Sequence, residues 1–301
     1  MERGMDLIYP AIFGALKGLC TGIAVSFEGT VSVLMHFFSM ETPEAGMYSA
    51  LACAGIALGL AARYIIRLAR GVSGTAVMLF RMARKGFYYR EESTPAQRDS
   101  VMFLISALPA LIPLALVGRW PVTASDTDMI AEGACFLISG ALLHAAARSP
   151  LGTDSDGTMR AGHALIIGIA AVTGIFPGIS GTAAALSAAL LLGYDPSYSV
   201  RFALSASLPA ALTLSFTDAG LFAAAEGELP GIWETVICAA AAAAAVYAAS
   251  WLLQLLAKKE KLSFISYLMM IAGLGIIILG AAETIAGVPV AELIAELKGK
   301  I

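Results

Sequence analysis

The sequence predicts an all-α polytopic membrane protein, with about six transmembrane helices and two re-entrant helix hairpins arranged as an inverted repeat. Three observations carry this. Hydrophobic residues make up 58% of the 301 positions and charged residues 14%. Mean hydropathy is +0.81, which together with that composition excludes an ordinary soluble domain. Finally, a pattern of small and hydroxyl-bearing residues occurs twice, 152 positions apart. Thr21-Gly22-Ile23, Gly29-Thr30 and Leu34 return as Thr173-Gly174-Ile175, Gly181-Thr182 and Leu186. Residues 1–301 then form one membrane domain of two related halves, about 6–148 and 162–287.

The chain opens with an apolar run whose length could mimic a signal peptide. It lacks a clear small-residue cleavage site and holds half of the repeat, so it reads as two half-helices, about 6–22 and 29–40. Each is too short to span a bilayer comfortably. Residues 45–68 form the first full span, ending in Arg63, Arg67 and Arg70. The basic, polar stretch 81–100 reads as a solvent loop, cytoplasmic by its Lys/Arg excess. Spans follow at about 101–118, bent by Pro109 and Pro113, and at about 128–148. Residues 149–161 link the halves. A second hairpin covers about 162–193, and spans follow at about 199–219, 232–257 and 264–286. The short loop Lys258 to Lys261 is basic and falls on the same side as 81–100, which the topology could have failed to deliver. The first hairpin then enters from outside and the second from inside. The Ala-rich run Ala239–Ala245 suits tight helix packing. The tail 291–300 is weakly amphipathic and is expected at the outer surface.

The remaining composition narrows the partners. A net charge of −3 gives no reason to expect nucleic acid. Cys20, Cys53, Cys135 and Cys238 lie scattered in apolar surroundings, without the spacing of a metal site or a disulfide framework. His36 and His144 read as satisfied helix histidines, and His163 as a cap or interface residue.

A helix that restarts inside a membrane presents unpaired N–H groups and the positive end of its dipole, a ready anion site. Paired breaks at corresponding positions of two halves point to a shared midplane site. Thr21, Ser26 and Thr30 in one hairpin, and Thr173, Ser180 and Thr182 in the other, carry hydroxyls able to donate to an anion. The N–H groups after Gly29 and Gly181 can do the same. Lys17 is a cation near the first tip, able to serve the anion or to snorkel to the interface. Glu28 stands beside the first break. It suits a proton-coupling carboxylate, a metal ligand or a base, and equally a first-turn residue that stabilises a helix N-terminus.

Thr173 to Ala189, TGIFPGISGTAAALSAA, resembles the phosphate-binding motif of the undecaprenyl-diphosphate phosphatase (BacA/UppP) family, roughly P-G-x-S-R-S-G-A-T, at Pro177, Gly178 and Ser180. The family's first motif, roughly [EQ]-G-x-T-E-F-L-P-[IV]-S-S-x-G-H, finds Gly18, Leu19, Val25, Ser26 and Gly29 in register. Gly193, Arg201, Phe202 and Pro209 match a further segment, and LSFISYL (262–268) resembles another. The resemblance implies a bacterial plasma (inner) membrane protein whose lipid partner is a polyprenyl phosphate or diphosphate. It implies removal of one phosphate from undecaprenyl diphosphate in lipid-carrier recycling, with Mg²⁺ or Ca²⁺ as the metal to test. A homodimer is left open.

The departures fall on the chemistry. Lys17 and Thr21 stand where the family has acidic residues, Phe27 and Thr30 where it has Ser and His, and Gly181 where it has the phosphate-binding Arg. An enzyme built on this chain needs Glu28, Ser26 and Thr30 as its catalytic residues. The substrate-binding set is Lys17, Thr21, Gly29, Thr173, Pro177, Gly178, Ser180, Gly181, Thr182 and Arg201, with no metal ligand assigned. Arg201 can also be a positive-inside anchor. The alternative is a transporter or flippase of prenyl phosphate, or of another small anion, that performs no hydrolysis.

Overall fold

The computed structural model describes residues 7–26, 30, 45–85, 94–115, 129–150, 152–155, 157–176, 178–224 and 229–286. Among these the fold is helical, apart from an isolated bridge between Asp154 and Tyr194. In chain order the helices are α1 (Ile8–Gly22), α2 (Ala45–Lys85), α3 (Pro95–Ala107), α4 (Leu111–Ala115), α5 (Met129–Ala147), α6 (Ala161–Val172), α7 (Gly181–Leu191), α8 (Pro196–Ala224), α9 (Ile232–Lys258) and α10 (Leu262–Ala286). Five stretches are long and apolar enough to cross a membrane: Gly46–Tyr64, Met129–Ala147, Pro196–Gly220, Ile232–Lys258 and Leu262–Ile285. Where the second hairpin is expected stand Ala161–Ile175 and Gly181–Leu191, two apolar helices too short to span. Of the first hairpin, the 29–40 arm lies outside the described residues except Thr30. His36 and the tail 291–300 also lie outside them.

Two expectations need correction. The stretch 81–100 is not wholly a loop: α2 runs on to Lys85, 41 residues in all and about 60 Å long. No proline falls between Pro43 and Pro95, and Lys and Arg are good helix formers, so their charge does not end the helix. The chain then restarts at Pro95, where Thr94 and Gln97 form a capping box and Pro95 takes the first helical position. The second correction concerns the span expected at 101–118. α3 ends at Ala107, a single 3-10 turn covers Leu108–Ala110, and α4 follows. Pro109 and Pro113 each remove a backbone donor, so the expected bend is an interruption. The Thr213 hydroxyl of α8 donates to the Ala110 carbonyl oxygen there at 2.9 Å.

Helix contacts are made through small residues, as they must be where lipid offers no hydrophobic contrast. Gly14, Gly18 and Gly22 lie on one face of α1 against α9. A Cβ at Gly14 would sit 2.2 Å from the Cys238 carbonyl oxygen, and one at Gly18 2.3 Å from that of Ala242. On α2, Gly55 and Gly59 approach the carbonyls of Ala239 and Ala243 as closely, so the Ala-rich run packs two helices at once. α5 and α10 meet where Gly133 and Gly273 each face the other's backbone. The outer faces stay apolar, with Ile232, Trp233, Ile271 and Ile285 exposed. The four cysteines are free thiols, and Cys20, Cys53 and Cys238 are buried.

The linker between the halves is held by a buried polar cluster. Asp99, 3% exposed, accepts from the Gly157 backbone N–H at 2.9 Å and from the Tyr198 hydroxyl at 3.0 Å. The Tyr194 hydroxyl lies 2.8 Å from His163 Nδ1 and accepts from the Arg160 N–H at 3.4 Å. Tyr194 sits in the turn between α7 and α8, where burial pushes its phenol above the usual tyrosine range. His144 lies 3.2 Å from the Ser266 hydroxyl and packs on Tyr267, as a satisfied helix histidine does.

A candidate anion-binding cleft between the two helix breaks

The end of α1 meets the break between α6 and α7. Lys17, Thr21, Val25 and Ser26 from the end of α1, and Gly174, Ile179, Ser180, Gly181 and Thr182 from the second break, line one cleft. Cys53 and Ile56 of α2 and Ser207, Ala210 and Ala211 of α8 complete its wall.

Local sequence builds each side. α1 ends at Gly22, and the chain reverses through Ala24, which takes a left-handed φ of 63°. The Val25 N–H then bonds the Cys20 carbonyl at 2.8 Å and fixes the turn. This aims Ser26 into the cleft. Ser26 is 2% exposed, and its hydroxyl has no hydrogen-bond partner among the described residues. On the other side, α6 tightens into a 3-10 turn at Thr173–Ile175, and Ser180 caps α7 by accepting from the Ala183 N–H at 3.2 Å. The cap leaves the Ser180 O–H free to donate. The Ser180 N–H reaches the Ser139 hydroxyl at 3.3 Å, and the hydroxyls of Thr182 and Ser207 lie 3.1 Å apart. The N-terminus of α7 therefore opens on the cleft with its dipole end and a row of hydroxyls.

Lys17 supplies the charge. It is 3% exposed, and its ammonium donates to the Ser49 hydroxyl and lies 4.0 Å from Asp218 Oδ2. Ser49 in turn donates to the same carboxylate oxygen at 2.6 Å. Lys17 is thus buried between helices. It is kept inside by a counter-ion on α8 and a relay hydroxyl on α2.

The other residues named from sequence fall as follows. Thr30 donates to the Ser26 carbonyl at 2.6 Å and so sits beside the tip. Thr173 donates to the Ala170 carbonyl at 2.7 Å, and its neighbour Gly174 takes the cleft position. Gly178, with φ of 81°, packs on the backbone of Glu132. Arg201 does not line the cleft. Its guanidinium lies 5.9 Å from the Tyr198 ring, near the start of α8 and about 9 Å along the axis from Ser207. Glu28, Gly29 and Pro177 lie outside the described residues.

Sequence reasoning missed Ser49, Ser139, Ser207, Glu132 and Asp218. Asp218 had a usable signal, as a single acidic residue inside an apolar span. Glu132 likewise is a buried carboxyl on α5. The serines gave none, since a serine inside a membrane helix most often bonds its own backbone.

A divalent cation fits this donor set poorly. Where a metal would need carboxylates, the cleft presents a lysine and hydroxyls. Among the described residues no three His, Cys, Asp or Glu side chains cluster to hold an ion.

Comparison with known proteins decides the relationship. The family model described as bacitracin resistance protein BacA matches residues 10–274. The chain belongs to the BacA family. Its relatives include the undecaprenyl-diphosphatase of Protochlamydia amoebophila, 26% identical over 70% of this chain and 73% of that one. That of Micrococcus luteus is 22% identical over 92% and 98%. Undecaprenyl-diphosphatase 4 of Bacillus thuringiensis is 27% identical over 91% and 97%. Family and helices together make this BacA-family chain a multi-pass membrane protein.

Proposed function

We propose that the cleft binds the phosphate end of a polyprenyl phosphate or diphosphate in the bacterial plasma membrane, with the prenyl chain passing out between helices into lipid. The observation that carries this reading is the meeting of the end of α1 and the start of α7 on one cleft that holds a buried cation, a helix N-terminus and a Ser26 hydroxyl without a partner among the described residues. The related sequences named undecaprenyl-diphosphatase support the lipid class. Lys17 offsets the charge, the α7 N-terminus and Ser180 donate to terminal oxygens, and Ser26 gains a partner when the ligand arrives. A helix terminus contributes about 0.3–1 kcal/mol, up to about 2 when partly buried. That is too little for a multiply charged headgroup, so Lys17 is required.

Binding is better provided for than bond cleavage. Phosphoryl transfer needs a positioned water or nucleophile with a base beside it. The nearby carboxylate of Asp218 is engaged by Ser49 and within ion-pair range of Lys17, which ill suits it to that task. A second reading is therefore movement of the lipid phosphate without hydrolysis, supported by the sequence pattern that occurs twice, 152 positions apart. Purified protein incubated with undecaprenyl diphosphate, with and without Mg²⁺ or Ca²⁺, tests both. Phosphate release that disappears in Glu28→Gln assigns hydrolysis. Thermal stabilisation by the lipid without release assigns binding, and a leaflet-exchange assay in proteoliposomes follows. Absence of both release and stabilisation overturns the proposal.

A further inference from the structure

We propose that the groove between α2 and α9, towards the basic loop Lys258 to Lys261, docks the phosphate headgroup of an anionic phospholipid, held by Arg63 and flanked by Tyr247, Trp251 and Gln254. The two helices pack closely where Gly55 meets Ala239 and Gly59 meets Ala243. One turn further along the same rows stand Arg63 and Tyr247. An arginine and a tyrosine cannot close as glycine and alanine do, so the seam opens here. The guanidinium carbon of Arg63 lies 5.4 Å from the centre of the Tyr247 ring, and Nη2 donates to the Gln254 side-chain oxygen at 2.7 Å. The Nε–H is buried and has no hydrogen-bond partner among the described residues. Arg63 does not line the cleft between α1 and α7, so this site stands apart from the function proposed above.

The charge of Arg63 is not matched within the chain. α2 carries no Asp or Glu along its 41 residues. The single acidic residue of α9 is Glu234, at the opposite end of that helix. Glu260, beyond α9, lines a different depression with Ser149 and Pro150. Among the described residues no carboxylate lies within ion-pair range of Arg63. An arginine on an apolar span is costly unless paired, and its guanidinium is a fork of donors shaped for phosphate. Bilayer lipid can reach it, because Tyr247 is 49% exposed and Trp251 58%. Such rings suit the headgroup boundary, where one edge is apolar and the other polar. Gln254 gives its oxygen to Arg63 and keeps its amide nitrogen as a further donor. Arg67 and Arg70 follow Arg63 at four and seven residues along α2, and Lys258 follows Gln254 by four along α9. The basic character therefore continues to the end of the groove, as in sites between membrane helices that hold anionic lipid headgroups.

The experiment uses Trp251 as the reporter. The full chain, with Trp120→Phe and Trp233→Phe removing the other two tryptophans, is reconstituted in phosphatidylcholine vesicles. Brominated phosphatidylglycerol or brominated phosphatidylcholine is then titrated in, and bromine that comes into contact with Trp251 quenches its fluorescence. Quenching by phosphatidylglycerol is expected to saturate at a mole fraction lower by about fivefold or more. Arg63→Gln abolishes that preference, Gln254→Leu reduces it, and Arg63→Lys keeps part of it, because the charge stays and the fork is lost. Equal quenching by the two lipids in the protein that retains Arg63 overturns the proposal, and this outcome needs no folded variant. A preference unchanged in Arg63→Gln and Gln254→Leu overturns it as well and leaves Arg63 as an interface anchor. Displacement of phosphatidylglycerol by glycerol phosphate in the buffer makes the groove a site for a soluble anion and overturns the lipid assignment.

Discussion

The Ala171 carbonyl oxygen occupies the space that a side chain at Gly181 would need: a Cβ there would lie 2.2 Å away, and the backbone of Gly174 closes the other side at 3.0 Å. Gly181 is where the family motif has its phosphate-binding Arg. The loss of that Arg and the tight closure of the second break are thus one structural fact. Glycine lets α6 and α7 meet closely, and Lys17 lines the cleft from α1.

Restoring the family residue should accordingly fail. Gly181→Arg forces the tip open and is expected to destabilise the protein by about 3 kcal/mol, the upper end of overpacking penalties. It is also expected to weaken, not strengthen, binding of a prenyl diphosphate. Thermal unfolding in detergent and a binding titration check the two halves of this expectation. Improved binding with unchanged stability would refute it.

The seam between α1 and α9 makes a second prediction. Gly18→Leu drives a side chain into the Ala242 carbonyl, and about 3 kcal/mol of stability should be lost. Gly275 of α10 is the control, because a Cβ there meets nothing within 4 Å. Gly275→Ala should stabilise by about 0.5–1 kcal/mol, the ordinary helix-propensity gain. Equal effects at the two positions would mean that the seam is not close-packed.

Tyr194 gives the pH dependence. Its folded phenol is raised above the unfolded value, so the folded protein holds the proton longer than the unfolded chain. Stability from this group is complete below about pH 10 and declines as pH rises through the raised folded value. The sequence holds nine tyrosines, so the measurement is the difference between wild type and Tyr194→Phe. Tyr194→Phe is less stable at neutral pH because the contacts to Arg160 and His163 are lost. Its deficit should shrink above pH 10, and a constant deficit would contradict the assignment.

Much of this was legible in the sequence, for reasons that particular residues make plain. The spans ending at Ala147, Lys258 and Ala286 lie within a few residues of expectation because apolar runs bounded by polar loops have one solution in a bilayer. The interruption between α6 and α7 was signalled by the glycines and the proline of residues 174–181. The extension of α2 to Lys85 was not, since charge marks what water touches and does not mark where a helix stops. Asp218 went unread because its importance lies in a partner 201 positions away, and one sequence does not state which distant lysine a carboxylate will face.

Ser26 separates binding from folding most cleanly. Its hydroxyl is buried in the cleft wall without a partner among the described residues, and an unsatisfied buried hydroxyl costs about 1–3 kcal/mol. Ser26→Ala removes that cost and leaves the backbone turn through Val25 and Cys20 unchanged. The variant should therefore be more stable than wild type by about 1 kcal/mol and unfold at a higher temperature. If the hydroxyl is a donor to the ligand's phosphate, the same change loses a hydrogen bond to a charged group, about 1.5–3 kcal/mol, or roughly 10- to 150-fold in affinity for a prenyl diphosphate. Thr21→Val serves as comparison, because the Thr21 hydroxyl already donates to the Lys17 carbonyl at 2.9 Å and its removal should cost little affinity. Greater stability with weaker binding at Ser26 has no explanation in packing alone. Weaker binding with lower stability would instead place Ser26 among the residues that hold the tip together.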